Sequence, residues 1–192
     1  MQLIQIQELF GFLKRITNED RIAIISNIVK PINLKDDNWP HCSFFGIYDG
    51  HGGSGCADFL RDNLHKLIIQ DSSFPLNPIE AIRNGIKCAE KKFLEKIAMK
   101  ENNIIDRSGS CANIVLIVEN SCYIANVGDS RALLSGRKGK ECVVLSRDHR
   151  PSDASEKKRI IMSGGQIYGN KLNSNSINNC SGAPLRVFPG RL

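Results

Sequence analysis

The spacing of hydrophobic positions changes several times along the 192-residue chain. Residues 22–29, IAIISNIV, and 43–48, SFFGIY, are short runs rich in β-branched and aromatic side chains, and both predict strands. Between them KPINLKDDNWPH sets Pro, Asn and Asp at turn positions and predicts a loop. From residue 54 the period lengthens. Ala57, Leu60, Leu64, Leu67 and Ile68 recur at helical spacing, which predicts an amphipathic helix over 54–69. DSSFPLNP interrupts it, and a second helix follows with Ile79, Ile82, Ile86, Ala89, Phe93 and Ile97 along one face. Beyond residue 110 short runs return: CANIVLIVE, SCYIANVG, RALLSG and KECVVLSRD, separated by NS, GDS and GRKG, predict a meander of antiparallel strands. RPSDASEKKRIIMSGG predicts a helix, with Asp153 and Glu156 as a capping box and Gly164-Gly165 as its stop. The Asn- and Ser-rich residues 170–182 predict a mobile loop.

Strands, two helices and then more strands form segregated blocks. That order predicts an α+β fold, an antiparallel sheet with helices packed on an outer face, in one domain over 1–192. A doubly wound parallel fold would need strict strand–helix alternation, which is absent after residue 110. No stretch approaches the roughly 20 apolar residues of a membrane helix. MQLIQIQELFGFLKR has no basic leader before its apolar residues, so the expected setting is the cytoplasm or nucleus, without a membrane. Net charge is +6, but the basic residues interleave with acids, which favours a solvated surface over a nucleic-acid interface. The seven cysteines include no C-x-x-C pair. Neither a zinc site nor a disulfide framework fits that spacing, and reduced, mostly buried thiols are expected.

Three acidic positions stand at strand boundaries: Glu19-Asp20 before the first strand, Asp49 after the second, and Asp129 in a turn between later strands. Carboxylates converging from such ends repel one another unless cations neutralise them, and hard divalent cations prefer oxygen ligands. Gly50 lets its own carbonyl approach a cation, and Gly52-Gly53 free the chain to turn into the helix. Taken singly, each feature is more ordinary. An Asp-Gly after a strand is usually a turn, GDSR a hairpin, Glu-Asp a solvated strand entry and His51 a surface histidine. Their order and context carry more.

In order, NEDR, FFGIYDGHGG, SGSCANIVLI, ANVGDSRALL and DHRPSDASEKKRIIMSGGQIY closely resemble successive motifs of the metal-dependent serine/threonine protein phosphatases of type 2C. The resemblance spans about residues 15–192 and implies a β-sandwich of two antiparallel sheets flanked by helix pairs. It further implies two Mg²⁺ or Mn²⁺ ions, with a third, weaker one, activating a water that attacks the phosphorus of phosphoserine or phosphothreonine in a phosphoprotein substrate. By motif position, Asp49 would bridge both ions and Gly50 would offer its carbonyl. Glu19 and Asp20 would hold metal-bound waters, Asp129 the third ion, Arg15 the substrate phosphate, and His51 would act as general acid. The family's further Asp-Gly and Asp-Asn ligand motifs have no counterpart before Leu192. The expectation is therefore a C-terminally truncated, otherwise monomeric domain with a loosened metal site and impaired activity. The alternative is an inactive phosphatase-like module that binds phosphoproteins or a partner.

Overall fold

The computed structural model describes residues 17–32, 38–98, 106–169 and 185–188. Its centre is a four-stranded antiparallel sheet in the order β1 (Arg21–Ile25), β2 (Cys42–Tyr48), β5 (Ala112–Val118), β6 (Ser121–Val127). Between β2 and β5 the chain forms a two-residue strand β3 (Gly50–His51), helices α1 (Gly55–Ile69) and α2 (Pro78–Ala98), and a two-residue strand β4 (Gly109–Ser110). The hairpin β7 (Leu133–Gly136) and β8 (Glu141–Val144) follows, then α3 (Ala154–Met162) and the pair β9 (Gln166–Gly169) with β10 (Leu185–Phe188).

Strand alternation sends every second side chain to each face. On one face Phe44, Tyr48, Ile114 and Leu116 are fully buried against α1 and α2, whose Leu64, Ile68 and Ala81 are equally buried. Each such large apolar side chain contributes about 1.5–3 kcal/mol over its exposed state. The two helices approach closely because α2 carries Gly85 where they meet. A Cβ there would lie 2.5 Å from Ile68 Cγ1 and 3.2 Å from its Cα. The other face of the sheet is apolar and open: Ile24 is 62% and Ile47 40% exposed. The expected α+β architecture, antiparallel sheets with a helix pair on one face, is what the protein adopts.

Several details differ from the sequence reading. The strand expected over 22–29 stops at Ile25. Past it the Ile28 amide still donates to the Cys42 carbonyl at 2.8 Å, but Ser43 Oγ donates to the Ser26 carbonyl and the Trp39 indole to the Ile28 carbonyl, so side chains take over part of the ladder. The meander breaks after β6, because β7 and β8 pair only with each other among the described residues. Asp153 is the N-cap of α3 but makes no side-chain cap; Glu156 turns instead to Arg159, which forks onto it. Ile79 is 52% exposed, and α2 buries Ala81 and Gly85 in its place. The six described cysteines are unbridged as expected, yet only Cys42 and Cys111 are buried. Residues 170–182, the expected loop, lie outside the described residues.

The buried Tyr48 hydroxyl has no hydrogen-bond partner among the described residues. Burial alone pushes its pKa upward. An unsatisfied buried hydroxyl costs about 1–3 kcal/mol. Tyr48→Phe is therefore expected to leave the urea midpoint unchanged or raise it. A drop equivalent to more than about 1 kcal/mol would show that the hydroxyl is satisfied in solution.

Candidate active site

Sheet register assembles the site. Arg21 pairs with Tyr48, Asn113 with Ile47, and Ala112 with Val127. Continued by one residue, the same register sets Asp20, Asp49, Cys111 and Gly128 in a row across the end of the sheet. Glu19, Gly50 and Ser110 follow in the next row, and Asp129 lies just past the turn at Gly128. With neighbouring strands about 4.8 Å apart, residues distant in sequence meet at one edge.

The contacts bear out this juxtaposition. Gly50 lies so close to the strand entry that a Cβ would sit 2.2 Å from the Glu19 carbonyl oxygen. The Glu19 carboxylate accepts from the Gly53 amide at 2.9 Å, tying the acidic strand entry to the glycine turn. Gly52 and Gly53 take φ values of 68° and 119°, a region that favours glycine, and α1 begins directly after Ser54. Gly50 and His51 are not simply a turn: they pair with Ser110 and Gly109. A Cβ on Gly109 would meet His51 Nε2 at 2.4 Å, so the imidazole lies against bare backbone. His51, Ser110 and His149 line a cavity of about 660 Å³ together with Leu60, Ile86 and Phe93. From the helix side Arg21 forks onto Asp58 at 2.6 and 3.3 Å, and Ser54 Oγ donates to the same carboxylate at 2.8 Å. The start of β1 and the start of α1 are thereby pinned together.

Cys111 links the second and third acidic positions. Its amide donates to the Asp49 carbonyl at 2.9 Å, and its thiol lies 3.7 Å from Asp129 Oδ1. Burial, with the charges of Asp49 and Asp129 beside it, raises the thiol pKa and keeps it protonated. Gly128 is required here: its φ is +104°, and a Cβ would fall 2.3 Å from Cys111 Sγ. The segment after β8 closes the turn, with the His149 amide donating to the Gly128 carbonyl at 2.9 Å. Arg131 forks onto Asp148 at 2.8 and 2.7 Å.

Three carboxylates near this end carry pKa values below their ordinary range: Asp58 through its hydrogen bond from Arg21, Asp148 through Arg131, and Glu156 through Arg159. A folded-state pKa below the unfolded one gives stability that is complete above the unfolded value, about 4. That stability disappears as pH falls through the lowered values. The melting temperature should therefore stay level from pH 7 to about 5 and fall below about pH 4. Asp148→Asn should flatten that fall. A melting temperature that rises on acidification below pH 4 would contradict the assignment.

Of the residues singled out from sequence, Glu19, Asp49, Gly50, His51 and Asp129 lie along one edge of the sheet. Asp20 is exposed at the strand entry, its amide bonded to Asn18 Oδ1. Arg15 lies outside the described residues. Sequence reasoning missed Cys111, Gly109 and Arg150, which matter through register and close approach. The glycine in SGSC was the one available signal. The oxygen-only donors suit a hard divalent cation. No three His, Cys, Asp or Glu side chains among the described residues are close enough to hold an ion by themselves. The chemistry fits a cation; the shell formed by these residues alone is partial.

The family signature described as "Protein phosphatase 2C" matches residues 14–179. The chain belongs to the protein phosphatase 2C family. It is 35% identical over 159 residues to "Probable protein phosphatase 2C 57" of Oryza sativa subsp. japonica, covering 83% of this chain and 42% of that protein. Over 155 residues it is 39% identical to "Probable protein phosphatase 2C 27" of Arabidopsis thaliana, covering 81% of this chain and 39% of the relative. The chain thus spans about two fifths of the length of these curated protein phosphatase 2C relatives. Among solved structures, the serine-threonine phosphatase 2C of Toxoplasma gondii aligns with a TM-score of 0.58 and 19% identity, over 81% of this chain and 57% of that one. A C. elegans sex determining protein aligns with a TM-score of 0.63 and 24% identity, over 90% of this chain and 38% of that one. Both likenesses concern the fold. The family is metal-dependent, and among the described residues no helix is long and apolar enough to cross a membrane.

Proposed function

We propose that this chain forms one wall of the active site of a metal-dependent phosphatase acting on phosphoserine and phosphothreonine in proteins. What supports the reading most is the common edge at which Glu19, Asp49, Gly50 and Asp129 lie, in a chain of the protein phosphatase 2C family. Asp49 would bridge two divalent cations, Mg²⁺ or Mn²⁺, with the Gly50 carbonyl as a further ligand and Glu19 and Asp20 holding their waters. Asp129 would take a third. When bound, the cations lower the pKa of the attacking water and neutralise charge on the phosphoryl oxygens. His51 would pass a proton from its imidazolium N–H to the departing serine or threonine oxygen. Arg15 would present a guanidinium fork to the phosphate. The unbridged cysteines among the described residues are in keeping with a reducing compartment, cytoplasmic or nuclear.

The partial shell of described donors favours a second reading, a phosphatase-like module that binds phosphoproteins without turnover. Phosphate release from a phosphothreonine peptide by the protein at its native length separates the two. Release that requires Mn²⁺ and stops with chelator supports the phosphatase. Peptide binding without release supports the module.

A further inference from the structure

The Asp129 carboxylate is engaged on both oxygens. Oδ1 faces the Cys111 thiol at 3.7 Å, and Oδ2 lies 3.8 Å from Arg150 Nε. Arg150 is shared, because its Nη2 is 3.2 Å from Asp148 Oδ2. The two contacts are unequal. Asp148 is 9% exposed and already gripped by Arg131, whereas the Asp129 and Arg150 side chains are 50% and 55% exposed. With Arg131 also on Asp148, part of the charge of Arg150 remains for Asp129. Arg150 is also not what holds its own segment in place: the His149 amide donates to the Gly128 carbonyl and Asn126 Nδ2 donates to the Arg147 carbonyl, each at 2.9 Å. The guanidinium can leave Asp129 while staying on Asp148.

We propose that Arg150 is a built-in counter-cation for Asp129, a positioning residue that a divalent cation must displace, so that Arg150 sets how tightly Asp129 takes a cation. The inference rests on the reading of Asp129 as a cation ligand given above. A cation and a guanidinium cannot both sit a few ångströms from one exposed carboxylate without repelling each other. Removing Arg150 therefore strengthens cation binding there. A purely structural arginine would have the opposite effect, since its loss would loosen the turn.

The test is a Mn²⁺ titration of the ¹⁵N-labelled chain in an Asp49→Asn background, which removes the neighbouring cations, followed through paramagnetic broadening of the Gly128 and Ser130 amides. The spectrum also reports folding, and no turnover is needed. Arg150→Gln should lower the Mn²⁺ concentration for half-broadening about two- to fivefold, in line with an exposed ion pair. Arg150→Lys should stay near the Asp49→Asn parent, and Asp129→Asn should abolish the local broadening. If Asp129→Asn abolishes it while Arg150→Gln leaves the midpoint unchanged or higher, the counter-cation role is wrong and the ligand role stands. If broadening survives Asp129→Asn, the ligand role fails and the inference with it.

Discussion

Asp49→Asn is expected to lower Mn²⁺-dependent hydrolysis of a phosphothreonine peptide by the native-length protein, on the order of 10³-fold or more in kcat. The substitution keeps the shape of the side chain and removes its charge. Asp49 stands one residue past the end of β2, with an exposed side chain, so no core packing is lost. The bond that fixes the turn is made by its main chain, where the carbonyl accepts from the Cys111 amide at 2.9 Å, and asparagine keeps it. The loss should therefore appear in kcat at saturating Mn²⁺, with the melting temperature nearly unchanged. Activity within tenfold of the wild type would refute a role for the carboxylate in holding cations.

Gly50→Ala should act on stability and site together. The added methyl would lie 2.2 Å from the Glu19 carbonyl oxygen and 3.0 Å from its carbonyl carbon. Both are backbone atoms, so no rotamer change relieves the clash. Either the entry of β1 or the β3–β4 pairing of Gly50 with Ser110 must move. Overpacking of this kind costs about 1–3 kcal/mol, and the upper end is expected where main chain meets main chain. At Gly109, by contrast, the nearest atoms would belong to the His51 ring, which can swing aside. Urea unfolding measures the cost, and a Gly50→Ala midpoint equal to that of the wild type would show that the strands are further apart than described.

The elements of this fold were legible because their hydrophobic periods differ sharply. Leu64 and Ile68 recur as a helix must bury them, and Phe44 and Tyr48 alternate as a strand must. The acidic positions were legible as strand-end residues with no evident structural need. Their meeting was not legible from residue spacing, because it depends on register. Arg21 opposite Tyr48 and Ala112 opposite Val127 are pairings that local sequence does not encode, and the family resemblance supplied the convergence instead. Competition explains the misread details. Glu156 had a choice between the N-cap amide and Arg159 three residues on, and the charged partner won. The Ile28 carbonyl had a choice between a strand neighbour and the Trp39 indole, and the indole won. Cys111 looked like a core thiol, and it is one. Its second role, joining the Asp49 turn to Asp129, comes from one amide and one thiol contact that only the assembled edge reveals.

The most direct test of the Asp49–Gly50 wall is a crystal of the native-length protein soaked in Mn²⁺ and measured at the manganese edge. An anomalous peak is predicted within about 2.0–2.6 Å of an Asp49 carboxylate oxygen and of the Gly50 carbonyl oxygen. A map with no peak at that edge of the sheet, or with a manganese whose ligands leave out Asp49, would contradict it.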